Sequence, residues 1–131
     1  MNQVILPEGW PRPKGYANGV LARGRQLYIA GMIGWDAQER FPSDDFADQA
    51  RQALKNVAEV LREAGGRPEN IVRMTWYVTS KREYLEAGRR IGQAFRELIG
   101  HYDIAMTAVQ VSALIEDHAK VEIEVTAVLP D

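Results

Sequence analysis

Two glutamates, Glu122 and Glu124, lie in the run KVEIEVTAVLP at residues 120–130. Val121, Ile123, Val125 and Val128 are apolar and β-branched, with Lys120, Glu122, Glu124 and Thr126 between them. The alternation predicts a β-strand with one apolar and one polar face. A carboxylate on the polar face is decoration if it meets water. If it meets a crevice, it can position a water or move a proton. Composition closes off other chemistries. There is no cysteine, which removes disulfides, thiolate catalysis and cysteine-based metal sites. His101 and His118 are the only histidines, and no metal-ligand or Ser-His-Asp pattern surrounds either. Neither a metal nor a cofactor is expected.

The chain has 131 residues, the size of one domain, and a net charge of −2. That charge gives no reason to expect nucleic-acid or membrane affinity. No apolar run approaches the roughly 18 residues of a membrane span, and MNQVILPEGWPRPKGY lacks the pattern of a secretory leader. A cytoplasmic protein with a single domain over 1–131 is the expectation.

The elements that would carry Glu122 can be read in order. Pro7, Gly9, Pro11, Pro13 and Gly15 make an irregular entry. ANGVLARGRQLYIAGMIG, residues 17–34, reads as two short strands around the turn Arg23 to Gln26, a hairpin. The second of them, Leu27 to Ile33, is apolar on both faces and so expected to be covered on both. Gly31 within it marks a bulge or a close approach to the backbone. Residues 44–64 form a helix with Ser43 as its N-cap, a stripe of Phe46, Ala50, Leu54, Val57, Leu61 and Ala64, and Gly65-Gly66 at its end. IVRMTWYVT, residues 71–79, is a strand. A second helix starts at Ser80, with Glu83 in a capping box and Tyr84, Gly88, Ile91, Phe95 and Leu98 as its stripe; Gly100 closes it. Two strands near 106–114 and 119–128 follow, joined by the turn Ile115 to His118.

The order is β-β-α-β-α-β-β, an α+β chain. Two amphipathic helices can cover one face of a single sheet. The other face, carrying Gln110, Ser112, Glu122 and Glu124 beside apolar strand residues, is too apolar for water and too polar for a closed core. Packing against other copies resolves this and sets one glutamate at a subunit interface.

The succession GYANGV, LYIAGMIGWD, ADQARQALKNVAEVLREAGG, IVRMTWYVTS and KVEIEVTAVLP resembles the RidA/YjgF family from about Tyr16 to Leu129. The segment QARQALKNV and the VEIE strand carry the likeness most strongly. The resemblance implies a chorismate-mutase-like fold, one sheet with two helices on one face, assembled as a homotrimeric barrel with active sites between subunits. It implies hydrolysis of reactive enamines and imines to ketones and ammonia. Glu122 matches the family's active-site glutamate, and Tyr16 is also retained. The family's arginine, which grips a substrate carboxylate from a segment of the form P-A-R-S-T-V, falls on Met106 in I-A-M-T-A-V, Ile104 to Val109. Methionine offers neither donor nor charge. A serine becomes Ala30, and an asparagine becomes Gly88.

Glu122 and Tyr16 are thus the catalytic candidates, and Gly31, Ala30, Met106, Thr107, Trp35 and Gly88 the substrate-binding ones. The blander readings stand beside them. Glu122 can be a solvated or interfacial carboxylate, and Tyr16 a packing aromatic. Trp35 and Trp76 are read first as filling volume between subunits. The sharper alternative has them line, with Met106, an apolar pocket for a larger substrate. Arg12, Lys14, Arg73, Arg89 and Arg90 are cations that spacing alone does not choose among. The function expected is deamination of an enamine or imine with altered scope. A small-molecule-binding or regulatory trimer without catalysis is the alternative, and a ribonuclease ranks last for want of a basic stripe with aromatic platforms.

Overall fold

A computed structural model describes residues 2–131. Along the chain run β1 (Gln3–Ile5), β2 (Gly19–Leu21), β3 (Arg25–Ile33), α1 (Phe46–Glu63), β4 (Ile71–Val78), α2 (Lys81–Glu86), α3 (Gly88–Leu98), β5 (Ala105–Gln110) and β6 (Val121–Leu129), with a 3-10 turn at Pro68–Asn70 before β4. A four-stranded sheet has the order β3-β6-β4-β5; β4 and β5 are parallel and the other neighbours antiparallel. Helices α1 and α3 pack together, and α1 lies on β3 and β6. Among the described residues no helix is long and apolar enough to cross a membrane.

The first helix follows its stripe. Phe46, Ala50, Leu54, Val57 and Leu61 are buried, whereas Ala64 is exposed. Its cap is Asp45 rather than Ser43: the Asp45 carboxylate accepts from the Asp48 N–H at 2.9 Å. Ser43 Oγ instead accepts from the Asp45 N–H and donates to the Asp48 carboxylate, tightening the entry. At the other end Gly65 takes a positive φ of 82°, and the N–H groups of Gly65 and Gly66 return to the carbonyls of Arg62 and Leu61. That is a Schellman closure, which glycine makes without steric cost.

The second helical region departs from a single helix. Ser80 caps α2 by accepting from Glu83 N–H. The Glu83 carboxylate does not reach back to close the box but bonds Lys120 Nζ at 3.0 Å. The backbone leaves helical geometry at Ala87, and α3 begins at Gly88. Glycines at 88 and 92 weaken helical preference there, and Phe95 of α3 is in the core.

The hairpin expected over 17–34 does not form. The short β2 pairs with β1, and β3 pairs along its length with β6. A Cβ at Gly24 would sit 2.1 Å from the Leu129 carbonyl oxygen, so the chain before β3 is pressed against the end of β6, not folded back on β2. The strand β1 escaped notice because three residues are too few for a readable alternation.

In β6 the buried face is Val121, Ile123, Val125, Ala127 and Leu129. Val128 is out of phase with that set and half-buried. The opposite, helix-free face holds Glu122, Glu124 and Thr126 of β6, Tyr28 of β3, and Arg73, Thr75 and Tyr77 of β4, as the register pairs them. Tyr28 is 72% exposed there, so in one chain β3 is covered on one face only. Gln110 does not share this face: its side chain accepts from the Lys81 N–H on the helix side. Ser112 lies past β5, in the loop leading to β6.

Candidate functional site

Glu122 sits on the helix-free face, in register with Ile33 of β3 and Tyr77 of β4. Between Ile29 and Met32 the β3 ladder slips, so Ala30 and Gly31 form a bulge. A Cβ on Gly31 would lie 1.9 Å from Glu122 Oε2 and 2.7 Å from its Cδ. The carboxylate therefore lies directly over the Gly31 backbone, and only glycine leaves it room. The bulge and the close approach expected at Gly31 are one feature.

The two glutamates are held differently. Tyr77 Oη donates to Glu124 at 2.5 Å. This bond to the carboxylate, with smaller contributions from desolvation and the charges of Glu124 and Glu122, holds the Tyr77 hydroxyl above the usual phenol value and so neutral. Glu122 is half-buried and takes part in no hydrogen bond or ion pair among the described residues. Glu124 is occupied, and Glu122 has a carboxylate to spare.

Two amides from α1, absent from the sequence reading, fix the frame. Gln49, 1% exposed, donates through Nε2 to the Ser43 and His118 carbonyls and accepts from the Lys120 N–H at 2.8 Å. Asn56 Nδ2 donates to the carbonyls of Ile33 and Trp35 at 2.9 and 2.8 Å. One amide anchors the chain entering β6 just before Glu122, and the other the chain leaving β3 just after Gly31. The signal was available, since both polar residues fall close to the buried stripe of α1, seven positions apart.

Met106 faces the other way. It pairs with Met74 in the parallel β4–β5 register and packs against the core on the helix side. With Trp76, Tyr84, Gly88, Ile91 and Phe95 it lines a groove of about 210 Å³. Among the described residues nothing lies within 4 Å of a Cβ built on Gly88. Burial pushes the Tyr84 phenol up, so it is neutral. Trp76 is 2% exposed and belongs to the core of a single chain rather than to volume between chains. Its edge meets the Tyr84 ring at a centroid distance of 6.1 Å.

Tyr16 stands next to this groove: Gly15 lines it, and Ala17 N–H donates to the Ile104 carbonyl at the start of β5. The Tyr16 ring, 42% exposed, borders a separate cavity of about 270 Å³ together with Arg12 and Asp103. Thr107 is exposed and in register with Thr75, on the opposite side of β5 from Met106. Trp35 is elsewhere, its ring 5.9 Å from Phe41, which in turn neighbours His118. Of the cations weighed, Arg90 is committed to Asp45 and Asp48 at 2.9 and 2.8 Å, and Arg73 is exposed on the helix-free face. Within one chain, then, Glu122, Gly31 and Ala30 make one cluster, and Met106 and Gly88, with Trp76, make another on the opposite face of the sheet.

The family profile described as Endoribonuclease L-PSP matches residues 11–129. A RutC family protein of Pyrococcus horikoshii is 30% identical over 128 residues, covering 97% of this chain and 98% of its own. The 2-iminobutanoate/2-iminopropanoate deaminase of Salmonella typhimurium is 30% identical over 129 residues, covering 98% of each chain. Among solved structures, YyfB of Yersinia pestis, described as a protein of unknown function of the conserved Rid family, superposes with a TM-score of 0.84 at 33% identity over 98% of both chains.

Proposed function

The chain belongs to the Endoribonuclease L-PSP family, that of the RidA/YjgF proteins, and from this premise we propose that it hydrolyses a reactive enamine or imine whose identity differs from those of its deaminase relatives. The observation that carries the reading is the unpaired Glu122 carboxylate laid over Gly31. An imine carbon is already electrophilic, so the protein needs only to hold it, place a water and move protons. Glu122 accepts a proton from the attacking water as its oxygen bonds to carbon. The nitrogen takes up that proton to give the carbinolamine, and the carbinolamine hydroxyl proton then passes through Glu122 to the nitrogen as the C–N bond breaks, so that ammonia leaves and the ketone remains. An enamine enters the same path after protonation at carbon. Tyr16 is assigned a hydrogen bond to the reacting groups, and Ala30 and Gly31 offer backbone. Met106, Thr107, Gly88 and Trp35 are assigned to substrate contact.

The two clusters on opposite faces support an assembly in which one copy supplies Glu122 and another Met106. We take this to be a homotrimer in which single domains spanning 1–131 close a chorismate-mutase-like barrel, acting in the cytoplasm on a small molecule without cofactor, nucleic acid or membrane. Met106 also favours a second reading. A site stripped of its carboxylate-binding arginine fits a trimer that binds a small molecule without turning it over.

Steady-state assays decide between them. The wild-type protein is expected to hydrolyse 2-iminopropanoate poorly, and Met106→Arg to raise that rate. Glu122→Gln is expected to abolish turnover of any imine accepted. Retention of full activity by Glu122→Gln ends the catalytic assignment. Failure of every enamine and imine tried, alongside saturable ligand binding, moves the protein to the second reading.

A further inference from the structure

We infer that the groove beside Met106 receives a single flat, uncharged ring, so that the substrate is an imine or enamine bearing a monocyclic aryl-like group and no carboxylate on that side. The reaction named here rests on the deaminase reading, whereas the ring preference rests on the groove alone.

Size sets the first limit. An apolar cavity of about 150 Å³ takes up benzene, and sites for drug-sized ligands begin near about 300 Å³. The part of the groove that one chain forms, at about 210 Å³, lies between, the size of one ring. Gly88 makes part of that space, since among the described residues the direction its Cβ would take is empty.

Polarity sets the second limit. No arginine, lysine or histidine is among the residues of the lining. Tyr84 is kept neutral by burial. The N-terminal end of α3 at Gly88 adds no free positive dipole end, because α2 closes on the same junction residue, Ala87. A carboxylate entering here would give up water without meeting a counter-charge. A ring would meet the Met106 thioether and the rings of Tyr84 and Tyr102, which line the groove and are less buried than Trp76 and Phe95 behind them, the contacts that aromatic groups favour. The polar demand of the region is small. Trp76 Nε1 is the single buried side-chain polar atom without a partner among the described residues.

The test is a thermal-shift titration of the intact protein with acetophenone, the ketone such a substrate would release, and with pyruvate as the small carboxylated comparator. A ligand that binds only the native state raises Tm, the stabilisation growing as the logarithm of one plus the ratio of ligand concentration to Kd. The expected result is a concentration-dependent rise with acetophenone and none with pyruvate at equal concentration. Gly88→Leu, which fills the groove, should remove the acetophenone effect. Met106→Arg should invert the order, tightening pyruvate by about tenfold or more. Should Gly88→Leu fail to fold, the Met106→Arg inversion decides. Pyruvate binding to wild type as tightly as acetophenone overturns the proposal, as does undiminished acetophenone binding by Gly88→Leu. Acetophenone binding without enhanced hydrolysis of its imine leaves the groove standing and removes the deaminase. Hydrolysis of carboxylated imines with no acetophenone binding does the reverse.

Discussion

At Glu122 a strand carboxylate and a glycine bulge occupy the same place. The Cβ that Gly31 lacks would fall 1.9 Å from Glu122 Oε2, so Gly31→Ala must push the carboxylate aside. A general base moved from its position loses most of a contribution typically worth about 10²–10⁴ in rate. Gly31→Ala and Glu122→Gln are therefore both expected to lower kcat by about a hundredfold or more. Glu124→Gln, which replaces a carboxylate already bonded to Tyr77, should change kcat by less than about tenfold. Equal losses for Glu122→Gln and Glu124→Gln in parallel kinetics would refute the division between them. The alternation along β6 made both glutamates legible in the sequence. What separates them is a register slip in a different strand and the hydroxyl of a third, and strand periodicity carries neither.

At the scale of elements, the helices were the most legible part. Their apolar stripes and closing glycines report directly on burial and backbone handedness, and α1 differs from its reading mainly by the shift of its cap from Ser43 to Asp45. Strand pairing was less legible, because β2 and β3 look like hairpin partners until β6, distant in sequence, is set between β3 and β4. The frame around Glu122 depends on such distant contacts. Asn56→Ala would leave the Ile33 and Trp35 carbonyls without their partner. Such a loss costs about 1–3 kcal/mol, measurable as a lower urea midpoint at unchanged m-value. The cap makes a prediction in pH. The Asp45 carboxyl is held below its ordinary value of 3.8, first by its hydrogen bond to Arg90 and then by the Asp48 N–H. A depressed folded-state pKa gives stability that is present above the unfolded value and lost as pH falls through the folded one. Asp45→Asn keeps a capping side chain and removes the charge. Its Tm should lie below that of wild type near pH 7, and the gap should close as pH drops below about 4. A gap independent of pH would show that the Arg90 pair contributes nothing.

At the scale of the whole molecule, the helix-free side of the sheet and its two edges need an explanation together. One chain leaves Tyr28 72% and Val109 42% exposed. Its outer strands β3 and β5 pair on one side only within the sheet. Exposed edges of this kind invite pairing, and closure into a barrel removes them. The sequence showed that such a face existed, from the count of helices and strands. It did not show that Met106 lies on the opposite face from Glu122, since that follows from the parallel register of β5 on β4. Because the clusters are separated, assembly and activity should fail together. Light scattering on the wild-type protein should give three times the 14.7 kDa chain mass. Tyr28→Lys places a charge in the face that copies would bury, so it should shift the mass toward one chain and lower turnover in the same proportion. Full activity in a monomeric Tyr28→Lys protein would mean that one chain completes the site alone, and the separation of Glu122 from Met106 would then have no part in catalysis.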